Sequence, residues 1–189
     1  LVVPCFNEQG KIYNAVKQLS VFYSQNSNID WFLILVDDGS TDKSKEEIFK
    51  SIKDFDSTFD NFKVESVFLD KNQGKGAAIQ AGLKSKKADF YCYFDVDLSI
   101  DYKKAIPDAI KLSKDNDLIM GQRSDFGFSG YGKIRNMGSS FFNFISRYFF
   151  GLRYKDIQCG FKFFNNKAKN FALATERSRF SFDLEFLLR

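Results

Sequence analysis

Short apolar runs of strand length alternate along the chain with longer stretches of helical periodicity, and this alternation constrains the fold more than any other feature. The strand candidates are residues 1–3, 31–36, 64–69, 90–94 and 118–120. The helix candidates are residues 14–24, 42–55, 76–86 and 101–114. Pro107 is expected to break or restart the last of these helices. WFLILV (31–36) is apolar on both faces, which is typical of a central parallel strand covered by helices on each side.

This order of elements predicts a single α/β domain, residues 1–189, with a mostly parallel central sheet and helices on both faces. A chain of 189 residues is long enough for one full core and short for two. No window of about 18 residues is free of charge, so no membrane-spanning helix is predicted. Because the sequence starts without Met and ends in FDLEFLLR, the pattern of an unfinished helix, we expect an excerpt truncated at both ends.

Polar or glycine-rich segments follow four consecutive predicted strands. They are PCFNE (4–8), VDDGSTD (36–42), DKNQGKGAA (70–78) and DVDLS (95–99). Each segment alone is weak evidence, because Asp, Gly and Ser commonly cap helices and form turns. In a parallel sheet all four lie at the carboxyl edge, where α/β folds bind their ligands. The sequence therefore predicts a ligand site at this edge.

Asp95 and Asp97 place two like charges at the end of an apolar strand, with one residue between them. This arrangement is unfavourable unless a cation neutralises the carboxylates. Mg²⁺ and Mn²⁺ prefer such oxygen donors, and Mg²⁺ commonly takes one or two carboxylates together with substrate phosphates. With Lys75, the pair looks like a site for a metal and a diphosphate. A solvated turn in which Asp97 caps the next helix is the alternative, and the motif alone leaves both open.

The composition excludes several kinds of chemistry. The chain has no histidine, which removes Ser-His-Asp and Cys-His catalysis and imidazole-based zinc sites. Its three cysteines lack zinc spacing, and their odd number argues against a disulfide framework. The net charge of +4 is mild and no basic block is present, so nucleic acid is not an expected partner. Carboxylates, Lys, Arg, Tyr or an oxygen-bound metal remain for catalysis.

Six segments carry a resemblance to a known family. They are VVPCFNE, VDDGSTD, NQGKGAA, DVD, GQR and DIQCGFKFF. In this order and with compatible spacing they occur in family 2 glycosyltransferases of the GT-A fold, which the chain resembles over nearly its whole length. Within that family it looks most like the polyprenyl-phosphate sugar synthases, such as the dolichyl-phosphate glucosyltransferases and mannose synthases. DIQCGFKFF followed by FSFDLEFL is similar to the glucosyl type in particular.

The resemblance implies a nucleotide-sugar site at the carboxyl edge of the sheet. The residues that it assigns to this site are Pro4, Asn7, Glu8, Asp37, Asp38, Lys75 and Asp95. Glu8 is expected near the ribose, Asp38 at the uracil or guanine ring, and Lys75 near the base or phosphate. Asp95 and Asp97 match the D-x-D motif of the family, which implies that they bind the sugar nucleotide and a Mg²⁺ or Mn²⁺ ion.

The same resemblance implies acceptor-binding and catalytic residues. The acceptor-binding residues are Arg123, Arg135, Ser139 and Gln158. The catalytic residues are Asp97, Arg123, Arg135 and Asp156. Arg135 and Ser139 are four apart, so they share one face if their segment is helical, although a surface arginine and a neutral helix residue are the alternative interpretation. Asp183 and Glu185 match an FDLE signature that is expected in buried scaffold near the sugar.

The implied reaction is inverting transfer of a hexose to a dolichyl or other polyprenyl phosphate. Glucose from UDP-glucose is favoured, and mannose from GDP-mannose is next. The missing histidine agrees with this acceptor, because a phosphate monoester with a second pKa of about 6 is largely dianionic at neutral pH and needs no general base. Two alternatives stay open: transfer to a glycan or protein hydroxyl, with Asp156 as the base, and a non-catalytic nucleotide-sugar-binding domain.

A lipid acceptor implies a membrane surface as a partner. The chain has 24 phenylalanines, and SSFFNFISRYFFGL (139–152) has the pattern of a helix with a broad aromatic side. Such a helix beside a lipid-phosphate site could lie in the membrane interface, but burial against the sheet explains at least half of its rings equally well. The resemblance implies the cytoplasmic face of a membrane, which is the plasma membrane in bacteria or the ER in eukaryotes.

Overall fold

The computed structural model describes residues 1–25, 28–56, 60–122, 156–157, 159–176 and 181–189. The strands in these residues are β1 (Val2–Cys5), β2 (Trp31–Asp37), β3 (Phe62–Phe68), β4 (Phe90–Tyr93), β5 (Leu118–Met120) and β6 (Lys162–Asn165). The helices are α1 (Ile12–Ser24), α2 (Ser44–Phe55), α3 (Lys75–Ser85), α4 (Tyr102–Leu112), α5 (Asn166–Ala174) and α6 (Phe182–Leu188). The five strands and four helices that the sequence predicts are all present, with shifted ends.

The described strands form one mixed sheet in the order β3-β2-β1-β4-β6-β5. The four adjacent strands β3, β2, β1 and β4 run parallel to one another, whereas β6 is antiparallel to both β4 and β5. Because β6 runs in the opposite direction, its first residue, Lys162, pairs with Tyr93, the last residue of β4. The segment before β6 therefore reaches the same edge as the carboxyl ends of the parallel strands. β6 is not among the strands predicted from the sequence.

The sheet is buried on both faces, as the apolar sequence of β2 predicts. Leu33 and Leu35 of β2 pack in a cluster with side chains of α1, α2 and α4. Ile34 and Val36 pack on the opposite face, in a cluster with side chains of α3, α5 and α6. Alternation along one strand thus supplies two cores, and the prediction of helices on both faces is confirmed.

The prediction that Pro107 interrupts its helix was wrong. α4 continues through Pro107, which lies on the exposed side of the helix. Tyr102, Ile106 and Ala109 form the buried side, and they pack against the core on both sides of the proline in sequence. The burial of this continuous apolar face offsets the backbone hydrogen bond that proline cannot donate.

None of the helices that the structure describes combines the length and apolar character needed to cross a bilayer. The aromatic segment 139–152 lies outside the described residues.

Replacing Pro107 by alanine should stabilise the protein. Alanine restores the backbone N–H and removes the clash with the preceding turn, so we expect the free energy of unfolding to rise by about 1–3 kcal/mol in urea titrations. Asp108→Ala, on the same exposed side, controls for the helix propensity of alanine and should change stability by less than about 0.7 kcal/mol. A Pro107→Ala protein no more stable than its parent would show that α4 adapts to the proline without cost.

Candidate active site

Hydrogen bonds join the loop after β1 to the loop after β2. The backbone N–H of Asn7 donates to Ser40 Oγ at 2.9 Å, and the backbone N–H of Thr41 donates to Asn7 Oδ1 at 2.9 Å. The backbone N–H of Glu8 donates to Ser44 Oγ at 2.8 Å. Asn7 has a φ of 53°, in the left-handed region that asparagine tolerates better than most residues. The first two loops at the carboxyl edge therefore form one connected unit.

Asp38 joins this unit to the third loop. Its two carboxylate oxygens accept hydrogen bonds from the backbone N–H groups of Gln73 and Gly74, both at 2.8 Å. Asp38 is buried, and Gly74, which precedes α3, has a φ of 100° that favours glycine. Asp38 thus holds the chain at the point where α3 begins, and Lys75 is the first residue of that helix. The contact of Asp38 with a nucleobase stays a prediction.

Three other residues assigned to the nucleotide sugar lie at the same edge. Pro4 is in β1, in register with Val36 of β2. Glu8 is half-buried and forms an ion pair with Lys11 at 2.6 Å. Asp37 is the buried last residue of β2, and its carboxylate accepts long hydrogen bonds of 3.4 Å from the backbone N–H of Ser40. All three residues therefore lie at the carboxyl edge, Pro4 and Asp37 near the ends of their strands and Glu8 in the loop after β1.

The carboxylate of Asp95 is held on two sides. Lys75 Nζ donates to Asp95 Oδ1 at 2.5 Å. On the other side lies the backbone of Gly160, where an added Cβ would come within 2.0 Å of Asp95 Oδ2. Any side chain at position 160 would therefore displace the carboxylate. Lys75 also reduces the repulsion between Asp95 and Asp97, because it forms an ion pair with Asp95. Asp97 is exposed to water, which screens the remaining repulsion.

Asp97 occupies a tight turn before α4. The turn is closed by the backbone N–H of Leu98, which donates to the Asp95 carbonyl at 3.0 Å. Asp97 Oδ1 accepts a hydrogen bond from the backbone N–H of Ser99 at 3.0 Å. Asp101 is the residue at the N-cap of α4. Asp97 thus lies in a solvated turn, as the alternative interpretation expects, but it does not occupy the N-cap of the next helix.

The donor atoms of this turn fit a divalent cation. No cluster of three or more acidic or cysteine side chains that could enclose a metal occurs in the described part of the chain. Asp95 and Asp97 provide carboxylate oxygens, and those of Asp97 are exposed. Mg²⁺ commonly uses one or two protein carboxylates and completes its shell with water and substrate phosphates. Two carboxylates at an open edge are such a donor set.

A buried ion pair lies close to this turn. Lys162 is fully buried, and its Nζ donates to Asp183 Oδ1 at 2.6 Å and to the carbonyls of Ile157 and Cys159, both at 3.1 Å. The hydroxyl of Tyr93 donates to the same Asp183 oxygen at 2.5 Å. Asp183 is buried, as expected from the sequence. The roles of Lys162 and Tyr93 were not predicted.

Opposite charges keep Lys75 and Asp183 ionised. Burial alone would lower the pKa of Lys75, but the charges of Asp95 and Asp183 outweigh burial and raise this pKa above its ordinary value. Burial alone would raise the pKa of Asp183, but the charges of Lys162 and Lys75 and the hydrogen bonds from Lys162 and Tyr93 lower it. Burial and the neighbouring Asp183 raise the pKa of Tyr93. At neutral pH Lys75 and Asp183 are therefore charged, and Tyr93 keeps its proton.

Asp156, a catalytic candidate, lies among the described residues just before β6. It is half-buried, and its carbonyl accepts a hydrogen bond from the backbone N–H of Cys159 at 3.2 Å. This turn leads to Gly160, so Asp156 lies a few residues from the Asp95 contact. Glu185 is half-buried in α6, and its carboxylate accepts from the backbone N–H of Glu176 at 3.0 Å. The candidates outside the described residues are Arg123, Arg135, Ser139 and Gln158.

Comparison with known proteins decides the family. The model of the family described as "Glycosyl transferase family 2" matches residues 1–175. The chain belongs to this family. As a family 2 glycosyltransferase it is 29% identical over 185 residues to a dolichyl-phosphate beta-glucosyltransferase of Saccharomyces cerevisiae, with 89% of this chain and 54% of that protein covered. It is 28% identical over 205 residues to the protein of that name from Homo sapiens, with 99% of this chain and 61% of that protein covered.

The family assignment agrees with the fold. A solved mannosyltransferase, PcManGT from Pyrobaculum calidifontis in complex with GDP-Man and Mn²⁺, matches this structure with a TM-score of 0.59 at 14% identity. The match covers 89% of this chain and 44% of that one. At this identity the similarity shows the fold alone, and the predicted GT-A fold is confirmed. The chain spans 54% and 61% of the length of the two curated relatives.

Asp183→Asn should reduce stability in a pH-dependent way. Asn keeps the shape but leaves Lys162 buried without a counter-charge, so we expect a loss of about 3–5 kcal/mol at pH 7 in urea titrations. Because the folded state lowers the pKa of Asp183, its stabilisation is fully present above the ordinary value of 3.8 and is lost as the pH falls through the folded pKa. The difference between parent and variant should therefore shrink below about pH 4.

Asp117→Asn is the matched control for this experiment. Asp117 pairs with Lys167 at 2.5 Å on the surface, so the same substitution there should change stability little. Equal losses in the two variants, or an Asp183→Asn difference as large at pH 3 as at pH 7, would contradict the buried pair as described.

Proposed function

We propose that the protein transfers a hexose, with inversion, from a nucleotide sugar to a dolichyl or other polyprenyl phosphate. The observation that carries this proposal is the Asp95–Asp97 turn, clamped by Lys75 and Gly160 at the carboxyl edge of a family 2 chain. Glucose from UDP-glucose is favoured and mannose is next, because the relatives reported above are named dolichyl-phosphate beta-glucosyltransferases.

The loops at the carboxyl edge supply the donor site in this proposal. The joined loops after β1 and β2 bring Asn7 and Glu8 beside the Ser40–Ser44 segment, where they would contact the nucleoside. Lys75 is the cation on the third loop, and its ammonium can donate to a phosphate oxygen as well as to Asp95. A diphosphate beside Lys75 and the Asp95–Asp97 turn could therefore accept a hydrogen bond from this ammonium.

Asp95 and Asp97 would hold Mg²⁺ or Mn²⁺, since their oxygen donors fit such an ion. When bound, the cation would neutralise charge that develops on the departing diphosphate. The Mn²⁺ in the mannosyltransferase complex supports a divalent ion in a protein of this fold.

The proposed reaction is a single displacement. An oxygen of the acceptor phosphate forms a bond to C1 of the sugar while the bond from C1 to the diphosphate oxygen breaks, and that electron pair leaves with the nucleoside diphosphate. The acceptor is largely dianionic at neutral pH, so no residue has to remove a proton. Arg123 and Arg135 would bind the acceptor phosphate, with Ser139 and Gln158 in the acceptor pocket. Asp156 would orient the sugar or the acceptor.

A lipid acceptor requires the site to reach a membrane surface. We place it at the cytoplasmic face, which is the plasma membrane of a bacterium or the ER of a eukaryote. The names of the relatives, which specify a dolichyl phosphate, support a lipid acceptor and therefore a membrane surface.

Asp97→Asn should lower turnover by about a hundredfold or more, because it removes a metal-binding charge beside the diphosphate. The assay is transfer from UDP-[¹⁴C]glucose to a short-chain polyprenyl phosphate in Mn²⁺, with circular dichroism to confirm folding. Asp108→Asn, on the exposed side of α4, makes the same charge change and should keep at least half of the parental turnover. Near-normal turnover of Asp97→Asn would remove the proposed metal role.

The parent protein tests the proposed substrates in the same assay. UDP-glucose should be used in preference to GDP-mannose, and a polyprenyl phosphate should be required. Transfer to a glycan or protein hydroxyl without any lipid phosphate would contradict the acceptor, and donor binding without transfer would indicate a non-catalytic domain.

A further inference from the structure

Contacts that start at α6 reach both sides of the Asp95 carboxylate. On one side, Asp183 in α6 binds Lys162 Nζ, and Lys162 binds the carbonyls of Ile157 and Cys159. These carbonyls belong to the segment that presents Gly160 to Asp95 Oδ2.

The second route from α6 runs through α3. Phe182, the first residue of α6, packs against Gly76 so closely that an added Cβ there would lie 2.7 Å from its ring. Gly76 directly follows Lys75, the partner of Asp95 Oδ1. The position of α6 thus affects the lysine on one side of the carboxylate and the glycine on the other.

Lys162 has no capacity left for a ligand. An ammonium group has three N–H donors, and in Lys162 all three are used by Asp183 and the two carbonyls. Its side chain is fully buried, so no substrate atom can contact it in this arrangement. Any effect of Lys162 on the reaction must therefore act through the groups that it positions.

The charges near Asp95 alternate in sign. Asp95 is bound to Lys75, and Asp183 is bound to Lys162, so the four groups sum to zero formal charge. The Nζ atoms of Lys75 and Lys162 lie 6.0 Å and 5.3 Å from the centroid of the Tyr93 ring. Removing the charge of Lys162 or of Asp183 would leave a net charge on the four groups. Loss of Lys162 would also release the carbonyls of Ile157 and Cys159.

We propose that Lys162 and Asp183 are a positioning pair, through which α6 holds Gly160 against Asp95 and so completes the metal and donor site. This inference rests on the proposed function for the identity of the ligand, but not for the arrangement of the turn. It assigns a role in the donor site to a helix that lies after residue 175, where the family match ends. Family 2 chains that lack this helix would need another support for the same turn.

The test compares three variants of the full-length protein at a temperature at which each is folded by circular dichroism. Lys162→Met removes the donor to the two carbonyls, and Asp183→Asn removes the charge but keeps an oxygen acceptor. Leu19→Ala is the control for lost stability, because Leu19 is fully buried in α1 on the opposite face of the sheet. Its thermal unfolding midpoint should fall together with those of the other two variants.

The first measurement needs no ligand. Hydrogen exchange of the Cys159 and Gly121 amides reports the turn, because these amides donate to the carbonyls of Asp156 and Phe161. We expect their exchange to be at least tenfold faster in Lys162→Met than in Leu19→Ala of similar midpoint. Equal exchange in these two variants would overturn the positioning role.

The second measurement is calorimetric titration with UDP in the presence of Mn²⁺. We expect the dissociation constant to rise at least tenfold in Lys162→Met and at least threefold in Asp183→Asn, but less than twofold in Leu19→Ala. Parental affinity in Asp183→Asn and in a folded Lys162→Met would overturn the inference, and so would an equal loss in Leu19→Ala. Should Lys162→Met not fold, Asp183→Asn alone decides. A parent protein that does not bind UDP with Mn²⁺ would contradict the proposed function. Hydrogen exchange of the Cys159 and Gly121 amides would still test the positioning pair in that case.

Discussion

The candidate site depends on how the carboxylate of Asp95 is held between Lys75 and the backbone of Gly160. A carboxylate at the open end of a strand would otherwise repel the neighbouring Asp97 and rotate freely in water. The short contact with Lys75 compensates its charge, and the closeness of Gly160 restricts its orientation. Asp97 stays exposed in the adjoining turn. The two acidic groups therefore differ: Asp95 is held by contacts within the protein, whereas Asp97 faces solvent.

This arrangement follows from the antiparallel strand in an otherwise parallel sheet. If β6 ran in the same direction as β4, its first residues would lie at the opposite edge, far from Asp95. Its reversed direction brings the turn that contains Gly160, and the buried Lys162, to the carboxyl ends of the parallel strands. The α/β framework supplies the donor loops, and the reversed strand supplies the support for the acidic turn.

The parts of the structure that the sequence predicts are those encoded by local patterns. WFLILV identifies a central strand because both of its faces are apolar, and the acidic pair stands out because it ends an apolar strand. Lys162, Gly160 and Tyr93 gain their roles only from pairing between β4 and β6, which lie about 70 residues apart in sequence and whose register no local pattern encodes. The prediction for Pro107 was wrong for a related reason, since packing of the buried face of α4 overrides the local preference.

The most direct test of the account is a crystal of the protein grown with MnCl₂ and UDP-glucose, with diffraction data collected at a wavelength where manganese scatters anomalously. We expect one strong anomalous peak within about 2–2.5 Å of an Asp97 carboxylate oxygen and of a diphosphate oxygen, a usual distance for a metal–oxygen bond. Lys75 should remain beside Asp95 or the diphosphate. A nucleotide bound at another surface, or a manganese peak remote from residues 95–97, would contradict it.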